Sequence, residues 1–226
     1  KMRSRHPDAV PLLLATLGAL DNSPVDPNRR GVALNAIRAM GLLKDERTDG
    51  ALLDRLHSND YSVREEAARS LGTMGSHAAA ETIRSLLASG VEGAGREQPS
   101  SPLLQEPCEA LLEALGDIGI KDAATLATIK PFTRHQRPLI CSAACRALLQ
   151  LTGDSCWGEQ LTQLLLHPDP LVRRGALLDL GAAGWTAAVP MIQAAAVEPS
   201  LKLVALKRLA ETSGDPQVLD VMDALL

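Results

Sequence analysis

Cysteines, a recurring set of cations and acids, and a handful of rings are the side chains of this sequence that could do chemistry. The cysteines are Cys108, Cys141, Cys145 and Cys156. Cys141 and Cys145 are four apart and share one helix face, so with Cys156 they suggest three metal ligands. No CxxC pair and no histidine at ligand spacing accompanies them, so buried thiols are the favoured reading and no metal is expected. An iron site built on His-Glu dipeptides is excluded, because none of the five histidines precedes a glutamate. The string KPFTRHQR (130–137) sets cations beside Phe132 and reads as an inter-helix loop or a partner contact. Arg64, Arg173, Arg174 and Lys202 follow buried aliphatic positions, and Glu65 and Glu66 sit among them. Guanidinium groups suit carboxylates through paired hydrogen bonds, while glutamates can serve as acids. No nucleophilic triad motif is present.

These residues lie on helices that recur. Helical stripes run Val32 to Gly41, Val63 to Gly72, Pro107 to Gly116, Cys141 to Gln150, Val172 to Gly181 and Leu201 to Ala210, starting 31, 44, 34, 31 and 29 residues apart. Within VREEAARSLG and VRRGALLDLG, Val63 aligns with Val172, Ala67 with Ala176 and Leu71 with Leu180, which makes one apolar face. Ala67, Cys145, Ala176 and Ala205 share the central offset, where a small side chain lets helices approach closely. A further amphipathic helix precedes each stripe, and breakers such as HSND (57–60) and HPDP (167–170) separate the two. Asp60 and Asp169 are placed to cap helices, and Pro170 suits a helix start. The pattern predicts an all-α chain: an α-solenoid of HEAT or armadillo-like helix pairs in one right-handed superhelix. It would form a single domain over 1–226, with about six pairs and a final unpaired helix from Pro216 to Leu226. That last helix carries an apolar stripe expected to be covered by another repeat, a partner chain or a second copy. Residues 90–102, rich in Gly, Ser, Glu and Pro, read as a flexible inserted loop.

Composition narrows the function. The 226 residues are 46% hydrophobic but only 2% aromatic, which suits Leu and Ala packing between helices and not a β-sandwich. A net charge of −4 and the scarcity of rings argue against nucleic-acid binding. No run reaches the roughly 18 apolar residues of a membrane span, and no signal peptide is visible. The chain begins at Lys1 without an initiator Met, so its natural start is expected upstream.

Asp60, Val63, Arg64, Ala67, Leu71 and Gly72, repeated as Asp169, Val172, Arg173, Ala176, Leu180 and Gly181, resemble the short HEAT-like repeat of phycobilisome lyases. LGDIG (115–119), YSVREEAARSLG (61–72), HPDPLVRRGALLDLGAAG (167–184) and SLKLVALKRLAE (200–211) resemble the E/F-type phycobilin lyases, with the phycoerythrin-directed members nearest. The resemblance covers most of residues 29–211. It implies a lyase that binds an open-chain tetrapyrrole (bilin) and joins it through a thioether to a cysteine of a phycobiliprotein subunit, with or without isomerisation. The bilin is then substrate and no separate cofactor is implied. A second lyase chain or a homodimer is an expected partner. The place is the cytoplasm, or the plastid stroma of an alga. The alternative is a non-catalytic chaperone or scaffold of phycobiliprotein assembly or turnover.

Under that resemblance, Asp60, Tyr61 and Glu65 are the catalytic candidates: counter-charge to a protonated bilin, stacking phenol and acid. Arg64, Arg173 and Arg174 are candidates for the bilin propionates, and Trp157 for stacking. Each also has a structural reading. Arg64 and Arg173 would join neighbouring repeats, Asp60 would be an N-cap, Tyr61 a rim residue and Glu65 a solvated charge. Trp157 and Trp185 would plug gaps between repeats. Arg174 is expected to have no inter-repeat duty.

Overall fold

The computed structural model describes residues 9–21 and 27–224. Helix α1 (Ala9–Asp21) and α2 (Pro27–Leu43) form the first pair. Next come α3 (Asp49–Arg55) with α4 (Tyr61–Met74), and α5 (Ala79–Leu87) with α6 (Cys108–Ile118). Then follow α7 (Ala123–Ile129) with α8 (Pro138–Thr152), α9 (Ser155–Leu164) with α10 (Pro170–Ala183), and α11 (Val189–Ala194) with α12 (Pro199–Ser213). Helix α13 (Gln217–Asp223) ends the described chain and packs on α12, burying Val218. Leu225 and Leu226, the end of the expected stripe, lie outside the described residues. Among the described residues there is no strand, only an isolated bridge between Glu97 and Leu104. Two compact units divide between Ile120 and Lys121, where the sequence reads as one domain.

Local chemistry sets the boundaries. The carboxylates of Asp60, Asp122, Asp154 and Asp169 accept backbone N–H bonds at the starts of α4, α7, α9 and α10. Pro170 opens α10, where its missing N–H is not needed. Gly75 closes α4 in the left-handed region at φ 71°, which a side chain would strain. The first helix of a pair is often short because a 3-10 turn takes part of it: Glu46–Thr48 before α3, Lys130–Arg134 after α7 and Thr186–Ala188 before α11.

Within each unit the second helices cross closely at glycines. A Cβ on Gly41 would meet the Ser70 Cα at 2.8 Å, and one on Gly72 the Ala114 Cα at 2.8 Å. In the second unit, a Cβ on Gly181 would come 2.9 Å from the Ala205 Cα. The tight contact therefore joins the glycine ending one stripe to a small residue of the next. Of the small residues singled out in the sequence, only Ala205 stands at such a crossing.

Residues 90–102 are hydrogen-bonded more fully than a bare loop. The Gln98 amide donates to the Leu103 carbonyl at 2.8 Å, and just beyond the segment Gln105 donates to Arg96 at 2.8 Å and Glu106 to Ala94 at 3.0 Å. Ala94 and Leu104 are buried, so two apolar anchors hold a segment that has no helical period.

Candidate functional site

In the first unit, α4 and α6 present an acidic face centred on one arginine. Tyr61, Glu65 and Arg69 follow one another at four-residue spacing on α4, and Glu109 and Glu113 do so on α6, so each set shares a helix face. Arg69 lies 3.3 Å from Glu65, 3.5 Å from Glu109 and in a short contact with Glu113. Three carboxylates thus surround one guanidinium. Burial, then the neighbouring Glu113 charge, raises the Glu109 carboxyl above the usual glutamate range, with Arg69 opposing. The Tyr61 phenol is pushed up to about 12 by burial, the Glu65 carboxylate and the adjoining Cys108. Its hydroxyl donates to the Glu106 carbonyl at 3.4 Å, and the Arg64 guanidinium carbon stands 5.4 Å from its ring centroid.

The structure brings Asp60, Tyr61, Arg64 and Glu65 together at the start of α4 but gives them different duties. Asp60 caps the helix through Ser62 N at 2.8 Å and Val63 N at 3.3 Å, and pairs with Arg30 of α2 at 2.7 Å. Arg64 donates to the Ser58 carbonyl at 2.9 Å and the Gln105 carbonyl at 3.0 Å. Arg173 repeats this in the second unit, donating to His167 at 2.8 Å and Ala196 at 3.0 Å. Both arginines bind loop carbonyls and so join neighbouring repeats, and Arg64 also lies 3.5 Å from the Glu106 carboxylate. Arg174 corrects an expectation. It forms a two-armed pair with Glu198, with Nε to Oε2 at 3.0 Å, and so joins α10 to the residue that opens α12. The partner was hidden in the sequence because Glu198 belongs to the breaker before the next repeat.

Sequence reasoning passed over Arg69, Glu109 and Glu113. The signal was available in the repeat alignment, which sets Glu109 at the offset of Glu65 and Glu113 at that of Arg69. Glu66, the second acid of the pair, is paired with Arg38 at 2.7 Å.

The two tryptophans separate in the second unit. Trp185 plugs a gap: its ring lies where a Cβ on Gly158 would come within 2.5 Å of it. Trp157 packs on the core with part of its surface. It also lines a cleft of about 510 Å³ with Ala127, Lys130, Pro131, Thr133, Arg134 and Gln160. Phe132, grouped in the sequence with the cations around it, is fully buried and pins the 3-10 turn instead of meeting a ligand.

Cys108, Cys141 and Cys145 are poorly suited to nucleophilic work, while Cys156 is exposed, where the sequence reads as a buried thiol. Burial pushes Cys108 and Cys145 up to about 12, and Cys141, whose thiol donates to the His135 carbonyl at 2.8 Å, is raised for the same first reason. Among the described residues no group of three or more His, Cys, Asp or Glu is placed to hold a metal. None of the described helices is long and apolar enough to cross a membrane.

Comparison with known proteins gives a consistent picture. The HEAT repeats profile matches residues 25–98, and the PBS lyase HEAT-like repeat profile matches 172–198. The chain is 54% identical over 226 residues to the bilin biosynthesis protein RpcE of Synechococcus sp. (strain WH8020), covering 100% of this chain and 85% of that protein. It is 41% identical over 239 residues to the phycocyanobilin lyase subunit alpha of Picosynechococcus sp. (strain ATCC 27264 / PCC 7002 / PR-6), covering 100% of this chain and 87% of that one. The solved complex of CpcE and CpcF of phycocyanin lyase from Nostoc sp. PCC7120 contains a chain that superposes with a TM-score of 0.83 at 36% identity, covering 96% of this chain and 83% of that one. The leaning toward phycoerythrin-directed members finds no support in these names. The HEAT-type helical solenoid does.

Proposed function

The chain belongs to the E/F-type phycobilin lyase family, and from that premise we propose that it binds an open-chain tetrapyrrole and attaches it to a cysteine of a phycobiliprotein subunit. The observation that carries the reading is the 54% identity to a bilin biosynthesis protein along all of this chain. In the reaction the acceptor thiol adds across an exocyclic double bond of the bilin. A carbon–sulfur bond replaces the π bond, the thiol proton is lost and a proton is gained by the tetrapyrrole. Nothing is oxidised and no group leaves. The nucleophile belongs to the acceptor, which fits a chain whose own buried thiols are raised to about 12.

What the chain supplies is a charged surface and a proton. Protonation places a positive charge on the pyrrole system of the bilin and makes it a better electrophile, and the surplus of carboxylates around Arg69 favours that local charge. Glu109, raised and partly exposed, is the proton donor we assign, with Glu65 as counter-charge and the Tyr61 ring beside them. The bilin is substrate, and the scheme needs no separate cofactor. A second lyase chain is the partner this reading favours, as in the CpcE and CpcF complex, and the place of action is that of the acceptor, the cytoplasm or a plastid stroma.

The test is co-expression of the chain with a partner lyase chain, a bilin source and an apo phycobiliprotein subunit. Covalent colour on the acceptor in a denaturing gel is expected. Its absence with all components soluble would leave the non-catalytic chaperone as the better account.

A further inference from the structure

The cleft beside Trp157 is made by two neighbouring first helices of the second unit. On one side, α7 gives way to the 3-10 turn Lys130–Arg134, opened by Pro131 and fixed by the buried Phe132. With Phe132 turned inward, Lys130 and Arg134 stay exposed at the cleft. On the other side, α9 contributes the half-buried Trp157 and the exposed Gln160, whose amide oxygen lies 3.2 Å from the Cys145 sulfur.

Lys130 and Arg134 differ from the arginines that make the contacts between repeats. Arg38, Arg64, Arg69, Arg173 and Arg174 are all held by carboxylates or carbonyls. Neither Lys130 nor Arg134 has an ion-pair or hydrogen-bond partner from its side chain among the described residues. Two unneutralised cations next to an indole ring, in a cleft of about 510 Å³, call for an anionic flat molecule. A nucleic acid is disfavoured because two cations on a chain of net charge −4 cannot replace a run of phosphate counterions.

We infer that this cleft is a holding subsite for a carboxylate-bearing tetrapyrrole, with Lys130 and Arg134 pairing its two propionates and Trp157 stacking on a pyrrole ring. The inference rests on the proposed bilin chemistry for the identity of the ligand, and on the cleft alone for its charge and shape. Arg134 can grip one carboxylate with two parallel hydrogen bonds, while Lys130 acts as a point charge on the other.

The experiment uses the full chain together with its partner lyase chain. Free phycocyanobilin and its dimethyl ester are titrated in turn, read by quenching of tryptophan fluorescence and by bilin absorbance. The natural sequence should bind the free acid about tenfold more tightly than the diester. The double variant Lys130→Ala, Arg134→Ala should lose about tenfold for the free acid and bind both forms alike. Trp157→Phe should remove most of the quenching, and Lys130→Arg should retain the preference for the acid. Equal binding of acid and ester by the natural sequence, or unchanged binding by the double variant, overturns the inference. Covalent attachment is scored on the same preparations. Attachment that persists with no acid preference removes the cleft and leaves the lyase reading standing. Acid-selective binding without attachment does the reverse.

Discussion

Arg64 and Arg173 make the same two-sided grip in different units. Each donates to the carbonyl six residues before it, Ser58 at 2.9 Å and His167 at 2.8 Å. Each also reaches the loop that leads into the next second helix, Gln105 at 3.0 Å and Ala196 at 3.0 Å. The aligned arginine of this repeat thus ties its own turn to the following repeat through backbone oxygens. Removing it leaves those carbonyls short of a charged donor. Arg64→Ala should therefore lower unfolding free energy by about 1.5–3 kcal/mol, measured by chemical denaturation. Arg64→Lys should recover only part, since one ammonium lacks the planar fork that serves both loops. Attachment per folded molecule should stay near normal in both variants. A well-folded Arg64→Ala protein that has lost attachment would return Arg64 to the bilin site.

Glu109 gives a pH test with a definite sign. Its folded carboxyl is raised, first by burial and then by Glu113, so the folded chain holds this proton more tightly than the unfolded chain does. The charged form is penalised at neutral pH, and the penalty disappears as pH falls through the raised value to the ordinary glutamate value. Glu109→Gln should therefore stabilise the protein at pH 7 and have little effect below about pH 4. Denaturation at several pH values checks this. The same variant should slow attachment and flatten its pH dependence if Glu109 is the proton donor. Unaltered attachment with the expected stability profile would leave Glu109 a structural acid.

Close crossing of the second helices makes a packing prediction. The space beside Gly72 is filled by Ala114, whose Cα would lie 2.8 Å from an added Cβ, and backbone cannot swing aside as a side chain can. Gly72→Val should destabilise the first unit by about 1–3 kcal/mol. Gly50→Val, at a helical glycine with nothing within 4 Å of the added Cβ, should cost less. Equal losses would mean that the crossing is softer than its geometry.

The repeat period, the caps at Asp60 and Asp169 and the start of α10 at Pro170 were legible in the sequence, because each depends on residues a few positions apart. The acidic face was half legible: Glu65 was chosen, while Arg69, Glu109 and Glu113 needed a comparison of offsets between repeats. Contacts that close through irregular segments were not legible. Arg174 pairs with Glu198 across the breaker between helices, and the anchors of the 90–102 segment, Ala94 and Leu104, show no period. The cleft was hidden for a related reason. Phe132 turns inward and splits KPFTRHQR into a core ring and two outward cations, whereas the string alone presents them as one basic aromatic patch.

The division of labour between the chain and its acceptor is tested by its cysteines. Cys145 is buried in the core of the second unit, and burial together with neighbouring negative charge pushes its thiol up to about 12. At neutral pH it is a thiol and a weak nucleophile. Cys145→Ser keeps the shape and can give its hydroxyl proton to the Gln160 amide oxygen, which lies 3.2 Å from the sulfur, so it should lower stability by only about 1 kcal/mol. Cys145→Ala, which removes both that bond and one sulfur, should cost a similar amount. Both variants should attach bilin in proportion to their folded fraction, because the sulfur of the thioether comes from the acceptor. Folded fraction is read by far-ultraviolet circular dichroism and attachment by covalent colour on the acceptor band. Loss of attachment in both variants at full helicity would place a sulfur of this chain in the reaction path and overturn the assignment of the nucleophile.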